Sequence, residues 1–199
     1  MGNVLSGIRD LCRQHLQDEI SSETGAETYK QDELDIHIAD CLDELSYYSP
    51  VESKETLTSN GTIDVDISAI DNLINVDYVE YPTGNEPKTF HNCSIFNDTL
   101  TIDIASAPTS GDEIYAYCRK LHTLTETSTD LSEREERLLV LGASGKAAMS
   151  KSLDYIGRVN IGGANVQYTV YNWGARNYEQ FQKGLQRMKK TRVFVSYAR

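Results

Sequence analysis

No stretch of this chain is apolar for anything near the roughly 20 residues a helix needs to cross a bilayer, so a membrane-spanning role is not expected. The first ten residues, Met1 to Asp10, lack both the long apolar segment and the small-residue cleavage site of a secretory signal. Folding in a cytoplasm is the expectation. Cysteine is sparse and scattered: Cys12, Cys41, Cys93 and Cys118 form no C-x-x-C pair and have no histidine at ligand spacing, which predicts reduced packing residues and no metal site. Without secretion, the Asn-x-Ser/Thr matches at Asn60, Asn92 and Asn97 are chance occurrences in turn-rich sequence. Internal repeats and low-complexity segments are also missing.

What is present is an ordinary globular composition, 39% hydrophobic and 25% charged over 199 residues, enough to bury a core without disulfide or metal. The net charge of −11 conceals an asymmetry. Residues 1–150 carry 28 acids against 10 bases, a balance of −18, whereas residues 151–199 carry 2 acids against 9 bases, a balance of +7. Charge divided this way favours docking onto a partner, or a nucleic-acid tail. A frame this acidic repels a polyanion, so an acidic protein surface is the better partner for the basic segment.

Two hydrophobic periods divide the chain. Leu5, Ile8, Leu11, Cys12 and Leu16 recur at helical steps and predict a helix over Val4 to Leu16; Leu34, Ile38, Cys41, Leu42, Leu45 and Tyr48 predict a second from Asp32 to Ser49, stopped by Pro50. Beyond Pro50 the period drops to two, as in Ile63-Val65-Ile67 and Leu100-Ile102-Ile104. Residues 55–123 are therefore expected to form five or six short antiparallel strands in a small sheet, sandwich or partial barrel. Helical character returns at Ser132-Glu133-Arg134-Glu135, a capping box, and continues to about Tyr155 through the small residues Gly142, Ala143, Ser144, Gly145, Ala147 and Ala148. Such a stretch lets another backbone approach, which places this helix at the centre of a bundle. Residues 157–171, with Gly162, Gly163, Val166 and Tyr168, read as either a hairpin or a flexible loop, and Asn172 as the cap of a last helix. An alternating tail follows. The expected fold class is α+β: a four-helix, bundle-like frame (1–53 and 124–190), a small antiparallel β module inserted between helices two and three (54–123), and an extended C-terminal arm (191–199).

Motifs for chemistry are weak. Gly142-Ala143-Ser144-Gly145-Lys146 imitates a phosphate loop, but Val140 stands where that pattern needs glycine and Ala147 where it needs Ser or Thr. His15, His37, His91 and His122 sit in no recognisable catalytic setting, and structural roles are expected for all four. The acids of helix two read as a solvated face, and the aromatics Tyr78, Tyr81, Phe90, Phe96, Tyr115 and Tyr117 as core or interface ahead of a sugar-stacking platform.

Several local sequences, taken in order, resemble the head-to-tail connector, or adaptor, proteins of tailed bacteriophages. They are Glu33-Leu34-Asp35 and Leu45-Ser46, Val76-Asp77-Tyr78-Val79-Glu80-Tyr81-Pro82, Leu121-His122-Thr123-Leu124, Leu141-Gly142-Ala143, and Asn172-Trp173-Gly174-Ala175-Arg176. The resemblance implies a virion protein of the neck, made in the host bacterial cytoplasm. It implies a homo-oligomeric ring, commonly of twelve copies, with the portal on one side and a stopper or tail component on the other. It also implies no catalytic residue and no cofactor, and a DNA channel through which DNA passes without specific binding.

On this view Lys189, Lys190, Arg192, Val193, Phe194, Val195 and Tyr197 form a portal-docking arm, the strand-like tail adding to a neighbour's sheet. Gly142, Gly145, Gly162, Gly163, Val166 and Tyr168 serve ring packing or a channel loop. The alternative from another class is a particle protein whose β module binds carbohydrate or a host surface.

Overall fold

The computed structural model describes residues 2–18, 28–154 and 166–189. In chain order it contains α1 (Leu5–Leu16), α2 (Gln31–Tyr48), β1 (Val51–Thr58), β2 (Asp64–Asp66), β3 (Leu73–Glu80), β4 (Phe90–His91), β5 (Cys93–Phe96), β6 (Thr99–Ile102), β7 (Glu113–Lys120), α3 (Glu133–Asp154) and α4 (Val166–Met188). The fold is α+β, in two compact units: residues 1–49 with 122–199, and residues 50–121.

In the helical unit, the apolar stripes anticipated from sequence converge. Ile8 and Cys12 from α1, Leu34, Ile38, Cys41 and Leu45 from α2, Leu139, Ala143 and Ala147 from α3, and Phe181 and Leu185 from α4 share one core. α3 touches each of the other three helices. Local devices hold the ends. Gln17 closes α1 in the left-handed conformation, its N–H donating to Arg13 and Gln14 carbonyls. The buried Asp18 carboxylate accepts the backbone N–H groups of Thr28 and Tyr29, at 3.0 Å each. At α3 the capping box is formed: the Ser132 N–H donates to Glu135 Oε2 at 2.9 Å, and the Glu135 N–H points back to Ser132 Oγ at 3.4 Å.

The β unit is a two-layer sandwich built from antiparallel pairs, with strand orders β1-β7-β3-β4 and β2-β6-β5. Val76, Val79, Ile114, Ala116 and Cys118 from one sheet meet Val65, Leu100 and Ile102 from the other in a separate core. The β1–β7 register runs unbroken from Val51↔Lys120 to Thr58↔Glu113, whereas β3–β7 is interrupted by two register shifts. Asn97, at φ 53°, turns β5 into β6, a left-handed position that asparagine tolerates.

Three expectations need correction. β1 begins at Val51, so the β unit starts before the boundary drawn at residue 54; Val51-Glu52-Ser53-Lys54-Glu55 is too charged to announce an edge strand. The unit has seven strands, not five or six, because β4 and β5 are only two and four residues long. Residues 166–171 are neither hairpin nor loop but the first turns of α4, and Asn172 is an interior residue, not a cap. The alternation Val166-Tyr168-Val170 suggested period two, yet Val170 is also the first member of a helical series continued by Gly174, Tyr178, Phe181 and Leu185.

Candidate functional site

The small residues of α3 are the natural starting point. A Cβ built on Gly145 would lie 2.8 Å from both the Gly174 carbonyl oxygen and the Tyr178 nitrogen, and one on Gly174 would lie 2.7 Å from the Gly145 oxygen. At Gly142 it would meet the Phe181 ring at 2.8 Å. Main chain therefore faces main chain across the α3–α4 seam. The close packing these glycines permit is internal to the subunit, so Gly142 and Gly145 are covered by α4 of their own chain and leave no face for the ring contact expected of them. The partner glycines Gly174 and Gly184 were missed by sequence reasoning. Their signal is a second small-residue spacing, on α4, complementary to the first.

Next to this seam lies an ionic knot. Lys146 Nζ sits 2.8 Å from Glu44 Oε1 and 3.5 Å from Asp40 Oδ2. Glu44 also accepts the Tyr178 hydroxyl at 3.0 Å and the Gln182 amide. The lysine of the loop-like motif thus ties α2 to α3.

His122 is engaged through both ring nitrogens. Its Nδ1 is 2.7 Å from Asp130 Oδ1, its Nε2 is 2.7 Å from the Ser49 carbonyl, and its backbone N–H donates to Ser46 Oγ at 3.0 Å. The Ser49 hydroxyl donates to Glu135 Oε1 at 2.9 Å. An Asp-His-Ser sequence of contacts suggests a hydrolytic triad, but the serine atom at Nε2 is its carbonyl. A carbonyl only accepts, so Nε2 carries a proton and cannot receive one from a hydroxyl. Burial pushes the Glu135 carboxyl up, but hydrogen bonds from Ser132 and Ser49 and the charge of His122 outweigh it and hold the group below the ordinary carboxylate range. The other histidines also have partners or cover: His15 packs on Trp173 at 5.2 Å, His91 Nε2 lies 2.8 Å from the Tyr81 carbonyl, and His37 is half-buried on α2.

In the β unit, Tyr78, Phe90 and Tyr117 stack on one another at 4.7 to 5.7 Å, in tilted and edge-on geometries. The Tyr117 hydroxyl donates to the buried Glu80 at 2.6 Å, and Lys88 reaches the same carboxylate at 3.3 Å. Phe96 stands apart, 80% exposed.

Of the expected arm, Lys189 is exposed just after α4; Lys190, Arg192, Val193, Phe194, Val195 and Tyr197 lie outside the described residues. Gly162 and Gly163 also lie outside them, while Val166 begins α4 and Tyr168 is exposed on it. A groove of about 620 Å³, not anticipated from sequence, runs between the first half of α3 and the last half of α4. Leu138, Leu141 and Gly184 line it, flanked by Arg134, Arg137, Lys183 and Arg187. Among the described residues, no group of three or more His, Cys, Asp or Glu is placed to hold a metal ion, and no helix is long and apolar enough to cross a membrane.

The elements define a class, an α+β scaffold with a β sandwich inserted into a helical unit. No family model matches the sequence, and no curated protein matches it either. Among solved structures, a chain from the neck of an empty GTA particle, computed with C6 symmetry, is similar at a TM-score of 0.34 and 12% identity, over 98% of this chain and 96% of that one. At that distance the likeness carries no functional weight.

Proposed function

We propose that this chain is a structural subunit of a ring-shaped neck connector in a tailed-phage-like particle, seated on a portal and extending the DNA channel toward the tail. The observation that carries this reading is where the connector-like sequences fall in the fold. Glu33-Leu34-Asp35 lies in the first turns of α2, and Val76 to Pro82 covers the second half of β3 and the turn after it. Leu121 to Leu124 is the return to the helical unit, Leu141-Gly142-Ala143 lies on the α3 seam, and Asn172 to Arg176 lies on the α4 seam. They fall at the start of α2, along β3 and its turn, at the return to the helical unit and on the α3–α4 seam, in chain order.

The reading takes the chain as a non-enzymatic virion protein without cofactor, one copy in a ring of about twelve, between a portal and a stopper or tail component. His122 supports it, since both ring nitrogens are committed to structural acceptors. The −18 balance of residues 1–150 suits a channel through which DNA slides, because like charge removes phosphate attraction. Lys189 to Tyr197 is the portal-docking arm in this proposal. Deleting residues 191–199 should leave a folded subunit that no longer joins portal-bearing heads, as seen by electron microscopy of the mixture. Normal attachment of the truncated chain would sink the assignment.

A second reading, carbohydrate binding by the β unit, has the Tyr78-Phe90-Tyr117 cluster in its favour. It predicts glycan binding by the full chain that Tyr78→Ala abolishes.

A further inference from the structure

The groove between α3 and α4 and the outer face of α2 are complementary surfaces within the same unit. Asp32, Ile36, Asp43 and Tyr47 recur at steps of four, seven and four, which places them on one side of α2, opposite its buried side of Leu34, Ile38, Cys41 and Leu45. Ile36 is 61% and Tyr47 69% exposed. α2 holds six carboxylates and neither lysine nor arginine. Four of these meet cations of the same chain: Asp35 meets Arg9, Glu33 meets Lys151, and Asp40 and Glu44 meet Lys146. Among the described residues no cation lies within 4 Å of Asp32 or Asp43.

The groove has the inverse character. Leu138 and Leu141 line it beside four cations, Arg134, Arg137, Lys183 and Arg187, against the single carboxylate of Glu133. Arg137 and Lys183 face glutamates of their own helices, both in exposed pairs, whereas Arg134 and Arg187 meet no carboxylate among the described residues. The chain's own last segment is a poor occupant, since residues 190–199 contain Lys190, Arg192 and Arg199 and no acid.

We infer that the groove takes α2 of a second copy of this chain, the exposed apolar side chains of α2 meeting the groove's leucines and its Asp32 and Asp43 side facing the groove's arginines. This rests on the ring reading above and names its subunit contact. Gln182 on α4 reaches Glu44 on α2, and Gly184, two positions on, lies about 200° round the helix, so the groove opens away from α2. Each copy therefore offers α2 to one neighbour and its groove to the other. Such a head-to-tail contact propagates, and closes into a ring when the rotation allows.

The test uses the full chain in low salt, with masses from analytical ultracentrifugation and folding checked by circular dichroism. All substituted side chains are exposed. Wild type should self-associate, and added salt should weaken it. Arg134→Glu with Arg187→Glu, and separately Ile36→Asp with Tyr47→Asp, should each weaken association at least about thirtyfold. Mixed one to one, these two variants should stop at a heterodimer, because each retains one intact surface and the remaining ends are both acidic. Joining Arg134→Glu and Arg187→Glu with Asp32→Lys and Asp43→Lys in one chain should restore assembly. Rings that persist in the Arg134→Glu/Arg187→Glu variant overturn this contact and leave the ring reading standing. Heterodimers from the mixture, with wild type forming only open chains, keep the contact and overturn the ring. A wild type that stays monomeric overturns this contact and leaves the ring reading to the portal mixture above, and association that appears only after removing residues 190–199 assigns the groove to the chain's own tail and overturns the proposal.

Discussion

At Gly145 the atoms that a methyl group would strike belong to the backbone of α4, and backbone cannot rotate aside. Gly145→Ala gains about 1 kcal/mol of helix propensity but meets an overpacking cost of roughly 1–3 kcal/mol. The expected outcome is a net loss of up to about 2 kcal/mol, read as a lower urea midpoint. Gly184→Ala meets only the movable tip of Leu138 and should cost less.

Glu135 supplies a second test. Its folded carboxyl is held below the ordinary value, so its contribution is present above the unfolded-state titration and is lost as pH falls through the folded one. Urea midpoints of wild type and Glu135→Gln, compared across an acid series, should differ most near neutrality and converge at low pH. Loss of the cap alone, in Ser132→Ala, should cost about 1 kcal/mol. The Ser132–Glu135 reciprocity was legible in the sequence because it is complete within four residues. The attachment of the same carboxylate to Ser49, 86 positions away, was not, since no local pattern encodes it. Cysteine follows the same logic: burial pushes the Cys12 and Cys41 thiols up to about 12, which fits packing residues. In the native protein both should resist alkylation at pH 8 that half-buried Cys93 undergoes, as peptide mass mapping would show.

Among the elements, α4 is the most instructive. Its 23 residues make a rod of about 34 Å, a quarter of which reads as a hairpin or a loop from the sequence pattern. Isolated alternation is shared by strands and by short pieces of helix, and the tiebreaker is continuation, here to Phe181 and Leu185. Val170→Pro should distinguish the two directly: inside a helix it costs about 3 kcal/mol, in a loop almost nothing, and circular dichroism with thermal melting reports which. α1, α2 and α3 were readable to within a residue or two because their apolar faces are long, with Pro50 marking the end of α2 and a capping box the start of α3. β1 was not, since its partly covered positions include Ser53 and Glu55, and its strand character comes from pairing with β7, more than fifty residues on. The groove escaped notice for a related reason. Arg134 and Arg187 become neighbours only when α3 and α4 pack.

For the whole molecule, the separation of charge has a different meaning from the one the linear count suggested. The cations of α3 and α4 do not wait for the final residues; they already flank a groove on the helical unit. The acid of α2, meanwhile, is partly consumed by Lys146, Lys151 and Arg9 inside the same unit. What remains unpaired on each surface is what a neighbouring copy could neutralise.

The clasp at His122 bears on how such a chain could be assembled in evolution or in the laboratory. The strand-bearing segment leaves after Ser49 and comes back at His122, and those two residues are hydrogen-bonded to each other at 2.7 Å. A segment whose ends are held that close behaves as a cassette: it can be lengthened, exchanged or excised with little disturbance to the chain that hosts it. Replacing residues 50–121 by a few glycines should yield a helical protein that still melts cooperatively, and one in which His122→Ala is more damaging than in the parent, because the clasp would then be closing the junction alone.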